Sequence, residues 1–346
     1  MPSDQAAMAR AFELASLHRT HPNPRVGALI VNQSEIVGEG SHQGPGHAHA
    51  EVIAIEAAGD KARGAELYVS LEPCNHQGRT PPCVDAILEA GLQRVIVGIE
   101  DPDERVRGSG ISRLRAAGVD VEVWREPDRA VEVDPGYFHH RRTGLPRVVA
   151  KFAMTLDGSA AAADGSSQWI TSEEARQDAH ALRSQVDAVV VGAGTVRADD
   201  PRLDVRLEGY EGPQPRPVIL AGGKPLPADA LVWSRNPLVV SSKEMDIPGG
   251  ESIVVAGEGN PDPRSAAAAL ADKGYLDLLI EGGPVVLGAW WAAGLISFGY
   301  AYLGARVGGG GGIQPLGGRF GNIDQATSVE IVDVQSIGPD VRIGFR

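Results

Sequence analysis

His49 and Glu51 stand two residues apart, and Cys74 and Cys83, each preceded by proline, are the only two cysteines of the 346-residue chain. One imidazole and two thiolates form the ligand set of a catalytic zinc ion, one per chain, with a fourth position left for water. Zinc draws the pKa of such a water toward neutrality, and the carboxylate of Glu51 is placed to move its proton. Cys83 follows Pro81-Pro82 at a helix start, where proline is favoured and where the helix N-terminus stabilises a thiolate. Two plainer readings compete: a pair of small buried thiols beside a surface histidine, and a purely structural zinc. That both cysteines fall inside one motif argues against the first. Structural sites close with a fourth protein ligand, so a free Glu51 argues against the second.

A His-x-Glu followed by Pro-Cys is the pattern of zinc deaminases, in which the glutamate is acid and base and not a ligand. Glu51 would then return a proton to departing ammonia. Farther along, residues 189–195 and 278–287 each read as a strand, then glycines, then a helix start, where backbone N–H groups can cradle a pyrophosphate. Neither holds a full G-x-G-x-x-G with an acidic residue about 20 positions on, so the glycines alone leave nucleotide binding open. Arg79, Arg183 and Arg206 have the fork geometry that fits a phosphate, as every arginine does, and by itself each is more plainly a solvated side chain. Asn23, between two prolines, is by itself a turn former, and Trp169 by itself a core residue.

These groups need a layered frame. Apolar Met8, Ala11, Phe12 and Ala15 recur at helical spacing over residues 5–18, and Val26 to Val31 reads as a buried strand. Helices over 50–58, 84–90 and 111–117 alternate with strands over 66–70, 94–99 and 120–123, the pattern of an α/β layered domain. A Gly, a Pro and clustered charge in residues 141–147 mark a boundary before a strand over 148–153. A second α/β unit follows, with helices over 173–184, 265–273 and 285–293 and strands over 187–191, 217–221, 238–240, 252–255 and 276–280. The run Gly308 to Gly312 cannot hold regular structure cheaply and predicts a mobile loop. No internal repeat is present.

The chain is long enough for about two domains. Its net charge of -13 argues against a nucleic-acid-binding face, and no apolar run of about 18 residues predicts a membrane span. The first residues lack the order of a signal peptide, which points to the cytoplasm, where paired cysteines bind metal more often than they form disulfides.

In residues 21–27 (His21-Pro22-Asn23-Pro24 with Val26-Gly27), Gly38-Glu39-Gly40 with His42, His49-Ala50-Glu51, Asp101-Pro102, and the extended segment from Pro73-Cys74 to Pro81-Pro82-Cys83, the first 144 residues resemble the deaminase half of a bifunctional riboflavin-biosynthesis family. That family is diaminohydroxyphosphoribosylaminopyrimidine deaminase/5-amino-6-(5-phosphoribosylamino)uracil reductase. Cytidine and tRNA-adenosine deaminases close instead with Pro-Cys-x-x-Cys. Residues 151–158, 167–172, 191–201 and Glu281-Gly282-Gly283-Pro284 resemble the reductase half, in the same order.

The resemblance implies a cytidine-deaminase-like three-layer α/β domain over 1–144 and a dihydrofolate-reductase-like α/β domain over 145–346, the latter not a Rossmann fold. It implies that Asn23 and His42 contact the pyrimidine, and that His76 and Arg79 contact the ribose phosphate. Ala153, Trp169, Thr195, Asp199, Gly283, Pro284, Val285, Val286, Leu287 and Gly288 would line the NADPH site. Ser167, Arg183, Leu203, Arg206 and Glu281 would hold the substrate, and Lys151 would orient or protonate the sugar oxygen during reduction at C1. The expected partners are a small phosphorylated pyrimidine and further copies of the same chain, a homo-oligomer. Three segments depart from the family: residues 103–110, Ile296-Ser297-Phe298 in place of Val-Asp-Glu, and Leu303 to Arg306 without the usual proline. A deaminase of free or nucleic-acid bases with a degenerate second domain, and a binding protein that has lost catalysis, are the rival readings; the extended cysteine loop and the intact zinc set speak against them.

Overall fold

A computed structural model describes residues 3–78, 80–124, 127–318 and 321–346. The chain divides into two compact units, Met1–Gly144 and Leu145–Arg346.

The first unit opens with helix α1 (Asp4–Ala15), which stops where the Ser16 hydroxyl turns back onto the Phe12 carbonyl. Strands β1 (Gly27–Asn32) and β2 (Glu35–Ser41) form a hairpin, then come α2 (Ala50–Ala58), β3 (Glu66–Val69), α3 (Cys83–Ala90), β4 (Arg94–Val97), α4 (Ser109–Ala116) and β5 (Asp120–Val123). The unit ends with α5 (Pro127–Val133) and α6 (Pro135–Thr143). The sheet order is β2-β1-β3-β4-β5, antiparallel across β2-β1-β3 and parallel from β3 to β5. Ala28, Ile30, Leu67, Val69, Val95 and Val97 face α2, α3 and α4, where Ala54, Ile87, Ile111 and Leu114 close one core. On the opposite face α1 covers the sheet, and the Tyr68 hydroxyl donates to Asp4 at its first turn. Three layers result, as the alternating pattern predicts.

Hairpin strand β2 and helices α5 and α6 escape the sequence reading. β2 carries Gly38 and Gly40 where an apolar alternation should be, and the reason is steric. A Cβ on Gly38 would lie 2.2 Å from the Ala54 carbonyl oxygen, and one on Gly40 would lie 2.0 Å from that of Ala50. Only bare backbone lets α2 rest on this edge strand.

The second unit holds β6 (Arg147–Thr155), α7 (Glu173–Ser184), β7 (Ala188–Gly192), α8 (Ala193–Asp199), β8 (Arg216–Ala221), β9 (Leu238–Ser241), β10 (Glu251–Val254), α9 (Pro263–Asp272), β11 (Asp277–Gly282), α10 (Pro284–Ala292), β12 (Phe298–Gly304), β13 (Ile331–Ile337) and β14 (Asp340–Phe345). Its nine strands run in the order β10-β9-β8-β7-β11-β6-β12-β14-β13. The first seven are parallel, and β14 and β13 close the sheet antiparallel. Strands buried on both faces read as continuous apolar runs: Val189 and Val191 point into the core under α7 and α8, while Val190 points into the core with α9 and α10. The departure at Ile296-Ser297-Phe298 leaves the sheet intact, since β12 pairs in register with β6 from Phe298 to Gly304. The glycine run has no regular structure; N–H groups of Gly308, Gly309 and Gly310 converge on the Asp157 carboxylate at 2.8 to 3.2 Å. Among the described residues no helix is long and apolar enough to cross a membrane.

Candidate active sites

In the first unit, His49 caps the N-terminus of α2 and Glu51 lies in its first turn. Cys83 is the first residue of α3, behind Pro82 at the cap, and Cys74 follows the end of β3. This places Nδ1 of His49 at 3.0 Å from Sγ of Cys83 and 3.6 Å from Sγ of Cys74. The three ligand atoms all lie within 4.8 Å of one another. One ring nitrogen and two sulfurs converging at such distances fit a zinc ion.

The electrostatics suit the same use. Cys83 hydrogen-bonds Cys74 and pulls its thiol down to about 4, with His49 adding to the effect, while that same hydrogen bond and burial push Cys83 up. Glu51 is only 3% exposed. Burial pushes its carboxyl up to about 7, and the charge on Cys74 adds to the rise. A carboxyl poised near neutrality both takes and gives a proton at little cost.

Asn23 and His42 belong to the same pocket. His42 packs edge-on against His49 with ring centroids 5.2 Å apart. Its Nδ1–H donates to the Ala48 carbonyl at 3.0 Å, so Nε2 accepts from the Asn23 amide at 3.0 Å. Burial lowers the His42 pKa, which keeps the ring neutral and its tautomer fixed. His76 is exposed on the loop between the cysteines, and Arg79 lies outside the described residues.

Glu72 and Thr80 were not legible as functional residues. Glu72 is buried and accepts four backbone N–H groups, from Asp101 at 3.2 Å, Gly108 at 2.8 Å, Gly110 at 3.0 Å and Ile111 at 3.2 Å. It bolts the segment that departs from the family onto the strand end that carries Cys74. In that segment Asp103 pairs with Arg105 and Arg141. Thr80 touches His49, its Oγ1 lying 3.2 Å from Nε2.

In the second unit the two glycine turns meet. They end the neighbouring parallel strands β7 and β11, and a Cβ on Gly192 would lie 2.9 Å from Val286. One on Gly283 would lie 3.4 Å from the Thr195 hydroxyl. Gly283 thus lies beside Thr195 and Val286 beside Gly192, a cradle of backbone at two helix starts, the kind of place where N–H groups can take a phosphate. Leu287 and Gly288 are buried, Leu287 in the core and Gly288 under the Gly317 backbone. Trp169 is 57% exposed, with the Arg176 guanidinium 4.5 Å from its ring centroid. It is therefore no core residue. Asp199 ends α8, and Ala153 lies on β6 two residues past Lys151.

Behind the cradle sits a buried polar cluster. Arg183 forks onto both carboxylate oxygens of Glu281 at 2.6 Å and donates to the Asp204 carbonyl at 2.9 Å. Arg206 pairs with the Asp204 carboxylate, next to buried Leu203. Lys151 places Nζ 5.3 Å from the Tyr302 ring centroid, and burial lowers its pKa against the pull of Glu281. Ser167 is half-buried before the Trp169 turn. Arg183, expected as a phosphate clamp, is thus largely committed to Glu281, and Arg206 is the more exposed of the two at 52%. His180, Asp178 and Tyr302 belong to this cluster and were missed. Arg176, His180 and Arg183 recur at i, i+4 and i+7 on α7, a basic stripe that helical spacing could have shown.

Comparison with known proteins finds matches to both units. A model described as the cytidine and deoxycytidylate deaminase zinc-binding region matches residues 1–99, and one described as the RibD C-terminal domain matches residues 146–343. Riboflavin biosynthesis protein RibD of Synechocystis is 38% identical, over 98% of this chain and 95% of that protein. Its counterpart in Escherichia coli is 37% identical, over 98% of each. A solved structure of Acinetobacter baumannii RibD superposes with a TM-score of 0.91 at 34% identity, over 99% of this chain and 98% of that one. The diaminohydroxyphosphoribosylaminopyrimidine deaminase/5-amino-6-(5-phosphoribosylamino)uracil reductase of Thermotoga maritima does so at 0.87 and 32%, with the same coverage.

Proposed function

The chain belongs to the bifunctional riboflavin-biosynthesis deaminase/reductase family, and from that premise we propose how its own residues divide the two reactions. The enzyme removes the amino group of 2,5-diamino-6-(5-phosphoribosylamino)pyrimidin-4-one by zinc-dependent hydrolysis. It then reduces the ribosyl group with NADPH to give 5-amino-6-(5-phosphoribitylamino)uracil.

For deamination, His49, Cys74 and Cys83 hold the zinc ion. When bound, zinc supplies the Lewis acidity that makes water a nucleophile near neutral pH. Glu51 takes the proton of that water and delivers it to the departing amino group. Asn23 and His42 hold the pyrimidine edge, Asn23 with its carbonyl oxygen and His42 with a ring of fixed tautomer. His76, exposed on the loop between the cysteines, takes the ribose phosphate, a role the family resemblance also gives to Arg79.

For reduction, Thr195, Asp199 and Gly283 to Val286 hold the dinucleotide, with Leu287 and Gly288 contributing only the packing beneath it, and Ala153 and Trp169 flank the ring. NADPH supplies the two-electron reduction when bound. Lys151, desolvated beside Glu281, gives the proton that the opened sugar oxygen needs. Arg206 takes the phosphate, with Ser167 and the Leu203 backbone beside it, while Arg183 keeps Glu281 ionised and oriented toward Lys151. The same reading places the chain in a reducing cytoplasm as a homo-oligomer, which sedimentation would test.

The observation that carries this reading is the convergence of His49, Cys74 and Cys83 with a buried Glu51 beside them. The test is ammonia release and NADPH oxidation measured separately for Glu51→Gln and Lys151→Met. Each loss of a positioned proton-transfer group is expected to slow its own reaction by about 10²–10⁴-fold. Glu51→Gln should still oxidise NADPH when given the deaminated intermediate. A variant that slowed both reactions equally, or neither, would refute the assignment of its residue.

A further inference from the structure

We propose that Thr80 is a positioning residue for the metal site: its hydroxyl accepts a hydrogen bond from Nε2–H of His49 and fixes the ring with Nδ1 aimed at the two sulfurs. The inference rests on the reading of His49, Cys74 and Cys83 as zinc ligands.

The ring geometry carries it. Nδ1 is the nitrogen that faces Cys83 and Cys74, at 3.0 and 3.6 Å, so it is the nitrogen that ligates. An imidazole that offers its Nδ1 lone pair carries its proton on Nε2 and is a donor there. Oγ1 of Thr80 lies 3.2 Å from that atom, and it is the only hydrogen-bond partner of Nε2 among the described residues. Without an acceptor the ring could flip about its Cβ–Cγ bond and turn a carbon toward the sulfurs. A hydroxyl on the far nitrogen holds both the tautomer and the orientation, as outer partners of metal-bound histidines do elsewhere.

The local chain is built to deliver this oxygen. Eight residues separate Cys74 from Cys83, whereas a Cys-x-x-Cys spacing has no room to send a side chain back over the histidine. The Gly78 N–H donates to the Thr80 carbonyl at 3.2 Å, folding the loop onto itself. Pro81 and Pro82 then fix two φ angles in succession before Cys83 opens α3. One short segment therefore supplies both a ligand and the group that orients another. The β-branched side chain of Thr80 has few rotamers to lose when it holds this contact.

The experiment is zinc affinity of the full chain, by competition with a chromophoric chelator, for the parent, Thr80→Val, Thr80→Ser and Cys74→Ser. Valine keeps the shape and removes the oxygen, and zinc affinity should fall about 10- to 100-fold; serine should restore it to near the parent's. In the zinc-loaded protein, the Nε2–H proton of His49 should exchange slowly with solvent in the parent and fast in Thr80→Val. Unchanged NADPH oxidation by Thr80→Val shows that the rest of the chain is intact. If Thr80→Val binds zinc as tightly as the parent while Cys74→Ser does not, the role of Thr80 is wrong and the ligand set stands. If Cys74→Ser also binds like the parent, the ligand set itself fails and takes this inference with it. If serine fails as valine does, the hydroxyl is not the agent and the proposal falls.

Discussion

A buried carboxyl whose desolvation outweighs the pull of nearby cations holds its proton to higher pH than one in water, and Asp101 is such a group. It is 4% exposed, and burial pushes it up to about 6 from an ordinary value of 3.8, although it accepts from the Asp103 N–H and the Tyr137 hydroxyl. The folded state therefore keeps a proton between about pH 4 and 6 that the unfolded chain has released, so this group's contribution to stability declines as pH rises through that window. Asp101→Asn, which preserves the acceptor toward Asp103 and Tyr137, is expected to abolish that decline. The stability of the variant relative to the parent should improve by up to about 3 kcal/mol between pH 4 and pH 7, read from urea unfolding at both values; a constant difference would show that Asp101 is ionised when folded. At this scale the sequence was informative where a residue type is rare or a motif dense. Two cysteines in the whole chain, both beside a His-x-Glu, left little choice for the zinc set. Thr80, Glu72 and His180 are common residues whose meaning lies in which atom they face, and no spacing rule reports that a threonine hydroxyl sits on Nε2 of a histidine 31 positions earlier.

The elements place these residues through contacts as tight as backbone on backbone. Helix α2, with His49 at its cap and Glu51 in its first turn, lies directly on β2, and Gly40 is the point of contact. Gly40→Ala would drive a methyl to 2.0 Å from the Ala50 carbonyl oxygen. The helix must lift, and overpacking of this kind costs about 1–3 kcal/mol. The lift also carries His49 and Glu51 away from the cysteines on their separate segments. Gly40→Ala is therefore expected to lose ammonia release by at least about 100-fold, the scale set by a misplacement of about 1 Å, while its NADPH oxidation on the deaminated intermediate stays at the parent's rate. Retention of both rates would mean that the edge strand yields instead of the helix. The same contact explains what the sequence concealed. β2 went unread because its inward positions are glycines, and the requirement for them comes from a helix ten residues downstream of Gly40. α6 is short and polar, with Asp134 as its N-cap and Pro135 behind it, so it carries no apolar stripe to announce it. By contrast α7, with caps and periodicity in agreement, was legible at the observed bounds, Glu173–Ser184, and the buried parallel strands declared themselves as runs of valine, leucine and isoleucine.

At the scale of the whole chain, the groups for each reaction are segregated. The proposed zinc ligands and Glu51 belong to Met1–Gly144, and the residues proposed to hold the dinucleotide, with Lys151 and its cluster, belong to Leu145–Arg346. A ligand that binds only the folded form of one unit stabilises that unit by RT ln(1 + [L]/Kd), about 4 kcal/mol at a thousandfold excess over Kd. Zinc and NADPH are therefore expected to act on different parts of the same chain. Stripping zinc with a strong chelator should abolish ammonia release and lower the unfolding temperature of the first unit alone, while NADPH oxidation on the deaminated intermediate continues at the rate of the loaded enzyme. Returning zinc should restore the first activity without altering the second, and NADPH should raise only the unfolding transition that zinc leaves unmoved. The measurement is calorimetry of the apo and zinc-loaded chain alongside the two separate assays. A single transition that both ligands shift together would mean that the units unfold as one, so that the loss of a metal held by three side chains of the first unit is felt in the reductase. The two activities would then be joined by stability as well as by the order of their reactions.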